Sequence, residues 1–412
     1  MQRSIRTAAL AALVPLAVGA CSSGAGNEAD GTTEPTSAPA ASQTITMWVD
    51  ETRFEVFTEL VEQYQEEKDV QIELIQKASA DIGGEFIQQV PTGEGPDIIV
   101  TAHDGLGELV TNGVVQPLEL GAKAEEFSDV SIAGFTYDGV VYGLPYAVEN
   151  IALVRNDALV RETPGTFDEL LAQNGTTGAT YPILIQQGEQ GDPYHLYPLQ
   201  TSFGAPVFEQ NDDGSYTTEL GLGGDAGAAY AAYLQRLGAE GVLSSSIDGE
   251  RAKQAFLDGQ SPYIITGPWN ATDFVEAGME ISVLPVPSAG GEPALPFVGV
   301  QGVYISAKTD NAVVANDFVV NFLGSEDVQL RLAEDGGRAP ALIAAADQID
   351  DPIVIAFGEA AGTAPMPSIP QMSSVWQFWG TTEIQIISGQ ASDPAVAWDG
   401  MVANIQAAID GA

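Results

Sequence analysis

The chain has 412 residues, of which 14 are basic and 57 are acidic, giving a formal net charge of −43. A field of this sign repels nucleic acid and anionic lipid head groups, and it disfavours anionic solutes that lack a local basic site. The length exceeds what one hydrophobic core usually serves, so we expect a folded body of two lobes.

The N-terminus has the pattern of an export signal. Arg3 and Arg6 precede an apolar stretch, residues 8–18, that is too short to span a bilayer. The stretch ends in Val18-Gly19-Ala20-Cys21, which resembles the lipobox of bacterial lipoproteins. We therefore predict a lipoprotein signal peptide at residues 1–20 and acylation of Cys21, the only cysteine of the chain. The alternative is an ordinary signal peptide with a cysteine nearby by chance.

Residues 21–42 follow as the predicted lipidated cysteine and a flexible linker. From residue 22 they are small, polar and proline-containing, without a hydrophobic period. No later apolar run approaches 18 residues, so the sequence predicts no membrane span after the signal. The predicted location is the extracellular face of the cell membrane, where acyl chains anchor the protein.

Strands and helices alternate at the start of the folded body. The sequence predicts strands at 44–49, 70–75 and 97–101, a helix at 54–68, and a glycine-containing helical segment after the third strand. This order predicts an α/β fold with a mostly parallel sheet and helices on its faces. Ligands of such sheets bind beyond the carboxyl ends of the strands, and between two lobes the crevice is the expected site.

Two turns and a helical C-terminal third complete the pattern. Asp138-Gly139 between Tyr137 and Val140 predicts a tight hairpin, and residues 211–214 predict another turn between 206–208 and 216–218. The remaining predicted strands are 144–148, 151–155, 263–266, 281–285 and 297–306. The remaining predicted helices are 226–237, 251–257, 312–323, 327–333, 372–388 and 394–408.

Motifs for catalysis or metal binding are lacking. The sequence contains no nucleophile elbow, phosphate loop or H-E-x-x-H pattern, and its only histidines are His103 and His195. With Cys21 as the sole thiol, a zinc site has too few ligands. Aspartate and glutamate pairs are plentiful, but no pair is singled out as a glycosidase pair. We expect a protein without metal or cofactor that is not an enzyme.

Aromatic residues at loop-to-helix junctions are the positive signal. Trp269 follows a predicted strand in a Gly-Pro-Trp sequence, and the pairs Tyr194/Tyr197 and Trp376/Trp379 have the i, i+3 spacing of one helix face. Flat rings with a polar edge match the apolar faces of a pyranose. Carboxylates accept its hydroxyl hydrogen bonds, and the candidates are Asp104 and Glu149. Taken singly, each ring is also compatible with a core position; Trp48, within a strand, favours core, and His103 favours a structural role.

Several segments resemble the extracellular solute-binding proteins of ABC importers, particularly the maltose/maltodextrin-binding proteins. The matching stretches are ITMWVDETRFEVFTELVEQYQEE (45–67), GPDIIVTAHDGLGELVTNGVVQPL (95–118), YGLPYAVENIALVRNDALV (142–160), DPYHLYPL (192–199), ITGPWNATDF (265–274), PFVGVQGVYISAKT (296–309) and PMPSIPQMSSVWQFWG (365–380). The resemblance implies a two-lobe, periplasmic-binding-protein-like α/β fold with a hinge and an interlobe cleft that closes on an α-glucan.

The resemblance also assigns roles in the cleft. It implies that Asp104 and Glu149 bind sugar hydroxyls and that Asp50 and Arg53 are polar residues of the same lobe. The roles implied for the other lobe are stacking on the sugar for Tyr194, Trp269 and Trp376, and a position for Asp192 where the family has a glutamate. The chain departs from the family at Thr101, Gly105 and Gly380, which replace a tryptophan and two arginines. Trp379 and His195 are the nearby candidates to replace these contacts.

The predicted function is capture of maltose, maltodextrin or a related oligosaccharide for import by ABC permease subunits, by a monomer without nucleic-acid partners. The predicted N-terminal lobe is 43–147 plus 297–341, and the C-terminal lobe is 148–296 plus 342–412. Alternatives are a different oligosaccharide, a secreted glycoside hydrolase, and a sensory lipoprotein that reports the sugar to a receptor.

Overall fold

The computed structural model of the protein describes residues 43–211, 215–360 and 365–411. The predicted signal peptide, Cys21 and the linker lie outside the described residues, as do three of the four residues of the turn predicted at 211–214. Strands and helices alternate in the first part of the described chain, as the sequence pattern predicts, and later parts contain runs of consecutive strands or helices.

The strands lie close to their predicted positions wherever a β-rich run marked them. They are β1 (Gln43–Asp50), β2 (Val70–Lys77), β3 (Ile98–Ala102), β4 (Thr136–Tyr137), β5 (Val140–Val141), β6 (Gly143–Glu149), β7 (Ala152–Asn156), β8 (Leu184–Ile185), β9 (Phe208–Gln210), β10 (Tyr216–Leu220), β11 (Tyr263–Thr266), β12 (Ile281–Leu284), β13 (Gly299–Ile305) and β14 (Ala339–Pro340). The Asp138-Gly139 hairpin is confirmed: β4 and β5 pair antiparallel, and both turn residues have positive φ, 49° and 77°.

The α-helices include every predicted helix and several shorter ones. They are α1 (Phe54–Glu67), α2 (Ile82–Gln89), α3 (Leu106–Thr111), α4 (Asp129–Gly134), α5 (Phe167–Thr177), α6 (Pro193–Thr201), α7 (Gly224–Ala239), α8 (Gly249–Leu257), α9 (Pro268–Glu276), α10 (Ala312–Asn316), α11 (Glu326–Gly336), α12 (Ile343–Ala346), α13 (Pro352–Glu359), α14 (Ser373–Ile387) and α15 (Pro394–Gly411). A π-helical segment, Asp317–Leu323, continues α10.

Two mixed sheets organise the fold, so the expectation of a mostly parallel sheet was wrong. The larger has the order β14-β6-β13-β3-β1-β2, in which β1 is parallel to β2 and β3, whereas β13 is antiparallel to β3 and β6. The smaller has the order β12-β7-β11-β8, with only β8 and β11 parallel. Strand β13 enters the larger sheet from the smaller one and not through a crossover helix, so nothing constrains it to be parallel.

Both faces of each sheet are buried, which explains why the strands read as apolar runs. In β1, Met47 and Val49 join one hydrophobic cluster while Trp48 joins another on the opposite face. In the smaller sheet, Leu153 and Val154 divide between two clusters in the same way. Alternation along a strand thus supplies both cores, and Trp48, 4% exposed, has the core position that the sequence favoured.

Each sheet with its helices forms one of the two lobes. The described chain passes between them at residues 149–152, 284–299 and 346–352. We propose that the first lobe contains residues 43–149 and 297–346 and that the second contains the remainder of the described chain. The predicted boundary at 147/148 falls within β6, and α12, assigned by sequence to the second lobe, packs against α11 and β14 of the first.

Candidate ligand-binding site

The predicted first-lobe residues lie at one edge of the larger sheet. Asp50 ends β1, and Asp104 follows β3; since these strands are parallel, their carboxyl ends meet at the same edge. Glu149 ends β6 on the same side of the molecule, where its neighbour on β13 is Gly299. The side chains that sequence reasoning assigned to this lobe are therefore brought together.

Glu149 is the centre of a buried charged network. Its Oε2 accepts a hydrogen bond from Arg338 Nε at 2.5 Å, and its Oε1 accepts one from Gln301 Nε2 at 2.6 Å. Burial by itself raises the pKa of this carboxyl, but the positive charges of Arg338 and Arg53, with the two hydrogen bonds, outweigh it and lower the pKa of Glu149. The carboxylate therefore stays ionised inside the protein.

Asp50 and Arg53 mainly satisfy each other. They form an ion pair, Arg53 Nε donates to Tyr146 Oη at 2.5 Å, and Asp50 Oδ1 accepts from both the backbone and the hydroxyl of Thr52 at 2.9 Å. Asp50 is 1% exposed. This pair therefore holds the chain beyond β1 in place and positions a cation near Glu149.

Asp104 faces the second lobe. Burial raises the pKa of Asp104, and the nearby indole of Trp376 opposes this rise. Both side chains line the same cavity. His103, the neighbour of Asp104, points away into the core: Nδ1 accepts from the Val300 backbone N–H at 3.1 Å, and Nε2 lies 2.9 Å from the carbonyl of Met366. Burial lowers the pKa of His103, so this histidine is neutral and structural, as the sequence favoured.

Asp192 caps the N-terminus of α6, and its carboxylate also contacts the side chains of Gln186 and His195. Its Oδ1 accepts from the backbone N–H of His195 at 3.0 Å, and its Oδ2 accepts from Gln186 Nε2 at 2.6 Å. His195 Nδ1 lies 2.9 Å from Oδ2, while His195 Nε2 is buried without a hydrogen-bond partner among the described residues. Burial raises the pKa of Asp192, but His195 and these hydrogen bonds outweigh it, and the pKa is lowered.

Tyr194 approaches the first lobe from α6. Burial raises the pKa of its phenol well above the usual value, and the negative charges of Glu149, Asp192 and Asp104 add to the effect. Glu149 and Asp104 belong to the first lobe and Asp192 to the second. Because the charges of all three act on Tyr194, this tyrosine lies between the lobes. Its ring is stacked on Phe297, with centroids 6.4 Å apart and 22° between the planes.

The three predicted tryptophans have two different environments. Trp269, in the first turn of α9, and Trp376, in α14, are half-buried, and the guanidinium of Arg338 lies 5.8 Å from the Trp269 ring centroid. Trp379 is 0% exposed, and its Nε1 donates to Gln200 at 3.0 Å. The ring has no exposed surface in this structure, and the direct ligand contact of Trp379 stays a prediction. Trp379 supports Trp376 from behind, with ring centroids 5.5 Å apart.

A cavity of about 420 Å³ adjoins this edge of the larger sheet. Its wall includes Arg53, Asp104, Gln301 and Trp376, together with small residues such as Thr101 and Gly105, two of the family departures. At Gly105 an added Cβ would meet no atom within 4 Å. The volume lies within the roughly 300–1,000 Å³ of small-molecule sites.

The third departure, Gly380, has a packing explanation. A Cβ at Gly380 would lie 2.6 Å from the carbonyl oxygen of Gln190, and one at Gly191 would lie 2.2 Å from the carbonyl oxygen of Gly380. The loop before α6 therefore packs directly on the backbone of α14. Glycine is required here for this close approach, which sequence reasoning interpreted only as a lost contact.

Sequence reasoning missed Arg338 and Gln301, the two partners of Glu149. They lie far from Glu149 along the chain. Gln301 falls within the matching stretch 296–309, but the resemblance assigned it no role, and Arg338 falls outside the matching stretches. A signal was nevertheless available for Arg338, because the chain has only 14 basic residues and this one directly precedes an apolar stretch. Within the described residues, no group of three or more His, Cys, Asp or Glu side chains is placed to hold a metal ion, and no helix is long and apolar enough to cross a membrane.

Comparison with known proteins identifies the family. A model of the bacterial extracellular solute-binding proteins matches residues 59–356, more than half of the chain. The galactooligosaccharide-binding protein of Bacillus subtilis (strain 168) is 26% identical over 410 residues, covering 95% of this chain and 93% of that protein. The maltooligosaccharide ABC transporter solute-binding lipoprotein of Streptococcus pneumoniae (strain ATCC BAA-255 / R6) is 28% identical over 374 residues, 86% of each chain.

A solved structure agrees in fold and in sequence. The maltotriose-binding protein of Thermus thermophilus, bound with maltotriose, superposes with a TM-score of 0.81 at 32% identity, covering 89% of this chain and all of that one. The predicted two-lobe α/β fold is thereby confirmed. The match also supports the expectation of a binding protein and not an enzyme. The chain belongs to the family of bacterial extracellular solute-binding proteins.

Proposed function

We propose that this protein is the lipid-anchored solute-binding component of an ABC importer and that it binds a maltodextrin or a related oligosaccharide between its lobes. The observation that carries the proposal is the pairing of hydroxyl acceptors on one lobe with aromatic rings on the other. Glu149 and Asp104 face Tyr194, Trp269 and Trp376 across the cleft. Sugars require this combination, because they present hydroxyls at the ring edge and C–H groups on the faces.

The electrostatics suit a neutral polyhydroxylated ligand. The Glu149 carboxylate is held ionised by Arg338 and Arg53, and each of its oxygens retains a second lone pair for a hydroxyl donor. The two arginines are already paired with carboxylates, so neither offers an uncompensated charge to an anionic solute. His195, beside Trp269 with ring centroids 6.2 Å apart, adds a buried nitrogen free to bond a ligand hydroxyl.

The choice of sugar rests on the relatives. The relatives are named for maltooligosaccharides and galactooligosaccharides, and the solved structure contains maltotriose. We propose maltotriose as the first ligand to test and a galactooligosaccharide as the second, because Thr101 and Gly105 open the cavity on the Asp104 side.

The proposed mechanism is hinge closure. Sugar that enters the open cleft contacts the carboxylates of the first lobe, and closure brings the rings of the second lobe onto it. The ligand drives closure only through its higher affinity for the closed form. The loaded protein then docks on the membrane permease, held close by an acyl anchor on Cys21.

A thermal-shift screen tests the proposed binding function. A ligand that binds only the native state stabilises it by RT ln(1 + [L]/Kd), which is about 2.7 kcal/mol at a hundredfold excess over Kd. We expect maltotriose or galactotriose to raise the melting temperature, with mannitol as the matched polyol control. No shift with any oligosaccharide at millimolar concentration would reject the proposal.

The anchor is tested separately. A bacterial host fed a labelled fatty acid should label the wild-type chain and not Cys21→Ser, which should appear in the medium. Label on the Cys21→Ser variant would reject acylation at this residue while leaving the binding function untouched.

A further inference from the structure

Gln301 lies where β13 is irregular. It pairs with Ala102 of β3 and Ala147 of β6, and the register with β6 shifts between Gln301 and Gly302. Such irregularities in a strand re-aim a side chain and are frequent beside functional sites. Here the re-aimed side chain is a polar one in the middle of a strand whose residues are all buried.

The orientation of the Gln301 amide is fixed by Glu149. Nε2 donates to Glu149 Oε1 at 2.6 Å, and a carboxylate accepts hydrogen bonds only, so the amide oxygen must point elsewhere. Gln301 is 7% exposed, and its Oε1 is buried without a hydrogen-bond partner in the described part of the chain. Buried polar atoms without a partner are rare and require an explanation.

The free oxygen belongs to a residue of the cavity wall. Gln301 lines the 420 Å³ cavity together with Arg53, Asp104 and Trp376. Arg53 donates from Nε to Tyr146 and from Nη1 to Asp50, and within the described residues it makes no hydrogen bond to the Gln301 oxygen. The Gln301 oxygen is thus an acceptor beside the acceptor Asp104, and the complementary ligand group is a hydroxyl.

We infer that Gln301 contacts the ligand: its Oε1 accepts a hydrogen bond from a sugar hydroxyl while its Nε2 holds Glu149 in place. This inference rests on the proposed function and adds a specificity-determining residue to it. A neutral amide adds an acceptor next to Glu149 and Asp104 without a third negative charge. Glu149 and Gln301 then accept hydrogen bonds from adjacent hydroxyls of one sugar unit.

The test uses Gln301→Met, which keeps the side-chain length and removes the amide, and calorimetry with maltotriose and its monodeoxy analogues. Loss of one buried hydrogen bond should weaken maltotriose binding roughly tenfold. In the wild type, one deoxy analogue should show a similar loss, and in Gln301→Met that analogue should bind as well as maltotriose. If Gln301→Met does not fold, Gln301→Asn, which retracts the amide by one methylene, should give the same pattern.

Arg338→Lys is the matched control, because Arg338 holds Glu149 through its other oxygen. A direct contact predicts that the penalty of the diagnostic deoxy analogue persists in Arg338→Lys. If the same penalty disappears in both variants, Gln301 acts only through Glu149 and the inference is overturned. It is also overturned if Gln301→Met binds maltotriose like the wild type. A wild-type protein that binds neither maltotriose nor galactotriose instead rejects the proposed function itself.

Discussion

In the part of the chain that the structure describes, buried charged side chains are few, and most of them lie at the cleft. Among the described residues, Arg53, Arg155 and Arg338 are the buried basic side chains, and two of these three act on Glu149. An ion inside a protein is costly unless it is paired and hydrogen-bonded, so such a network is retained where it serves a site. It holds one carboxylate ionised and oriented before any ligand arrives.

At the residue scale, Trp269→Ala should weaken sugar binding. Removal of the ring forfeits about 1.5–3 kcal/mol of apolar burial against the ligand, which is roughly a ten- to hundredfold rise in Kd. Isothermal titration calorimetry measures this change in Kd. Trp398→Phe is the control: Trp398 is 0% exposed in the second-lobe core, so its change should lower the melting temperature and leave affinity unchanged. Equal affinity of Trp269→Ala and wild type would remove Trp269 from the site.

Glu383 should make stability depend on pH. It is 0% exposed, it accepts a hydrogen bond from Tyr230 Oη at 3.1 Å, and burial raises its pKa well above the ordinary value of 4.5. The folded state therefore keeps a proton that the unfolded state releases above pH 4.5, so this group favours folding below pH 4.5 and costs stability as the pH rises.

Glu383→Gln removes this titration. The free energy of unfolding of the variant should rise relative to that of the wild type as the pH increases from 5 to 8. The slope of this difference should be at most about 1.4 kcal/mol per pH unit. Urea unfolding across this range measures the difference. If the difference in the free energy of unfolding between the two proteins does not change with pH, Glu383 is not protonated in the folded state.

Sequence could place individual site residues only where a local pattern marked them. Trp269 was recognisable at a strand-to-helix junction, and Asp104 by the family resemblance. The partners Gln301 and Arg338 were not, because β13 and the segment before β14 reach Glu149 through the sheet order. Trp379 follows Trp376 at the i, i+3 spacing of residues on one helix face. Its indole nevertheless donates a hydrogen bond to the buried Gln200, and residue spacing alone does not predict this inward orientation.

At the scale of elements, an N-cap aspartate can stabilise a helix and also position residues of the proposed site. Asp192 caps α6 and Asp248 caps α8, and each carboxylate accepts the backbone N–H three residues on, at 3.0 and 2.9 Å. Asp192 also touches Gln186 and His195 beside Trp269, whereas Asp248 is exposed and lies outside the proposed site.

The two caps form a matched pair for mutation. Asp192→Ala and Asp248→Ala should each cost about 1 kcal/mol of folding free energy through the lost cap. Only Asp192→Ala should also weaken sugar binding, because it releases His195 and Gln186. Chemical denaturation and calorimetry on both variants provide the comparison. Unchanged affinity in Asp192→Ala would show that Asp192 is a cap and nothing more.

Element positions were largely predictable because apolar periodicity and turn residues are local. Residues 54–68 gave α1 to within one residue, and Asp138-Gly139 gave the hairpin. Sheet direction was not predictable in this way. The direction of β13 depends on where the chain re-enters the larger sheet, and no local pattern of residues 297–306 records that.

At the scale of the whole molecule, the cleft is the boundary between two separately packed cores. The negative charges of Glu149 and Asp104 in the first lobe raise the pKa of Tyr194 in the second, and the Trp376 indole lies close to Asp104. Contacts of this kind exist only when the lobes approach each other. A sugar between them would add its own contacts to both sides and so favour the closed arrangement.

Fluorescence transfer between the lobes tests this account most directly. Val313 on α10 and Val396 on α15 are 84% and 67% exposed, and Cys21 is the only native cysteine. A Cys21→Ser chain with Val313→Cys and Val396→Cys can therefore carry one dye pair. Maltotriose should change the transfer efficiency saturably, at the concentrations that calorimetry gives for binding, and the change should be lost with Trp269→Ala and Trp376→Ala combined. Binding heat with unchanged transfer would contradict a sugar held between the lobes.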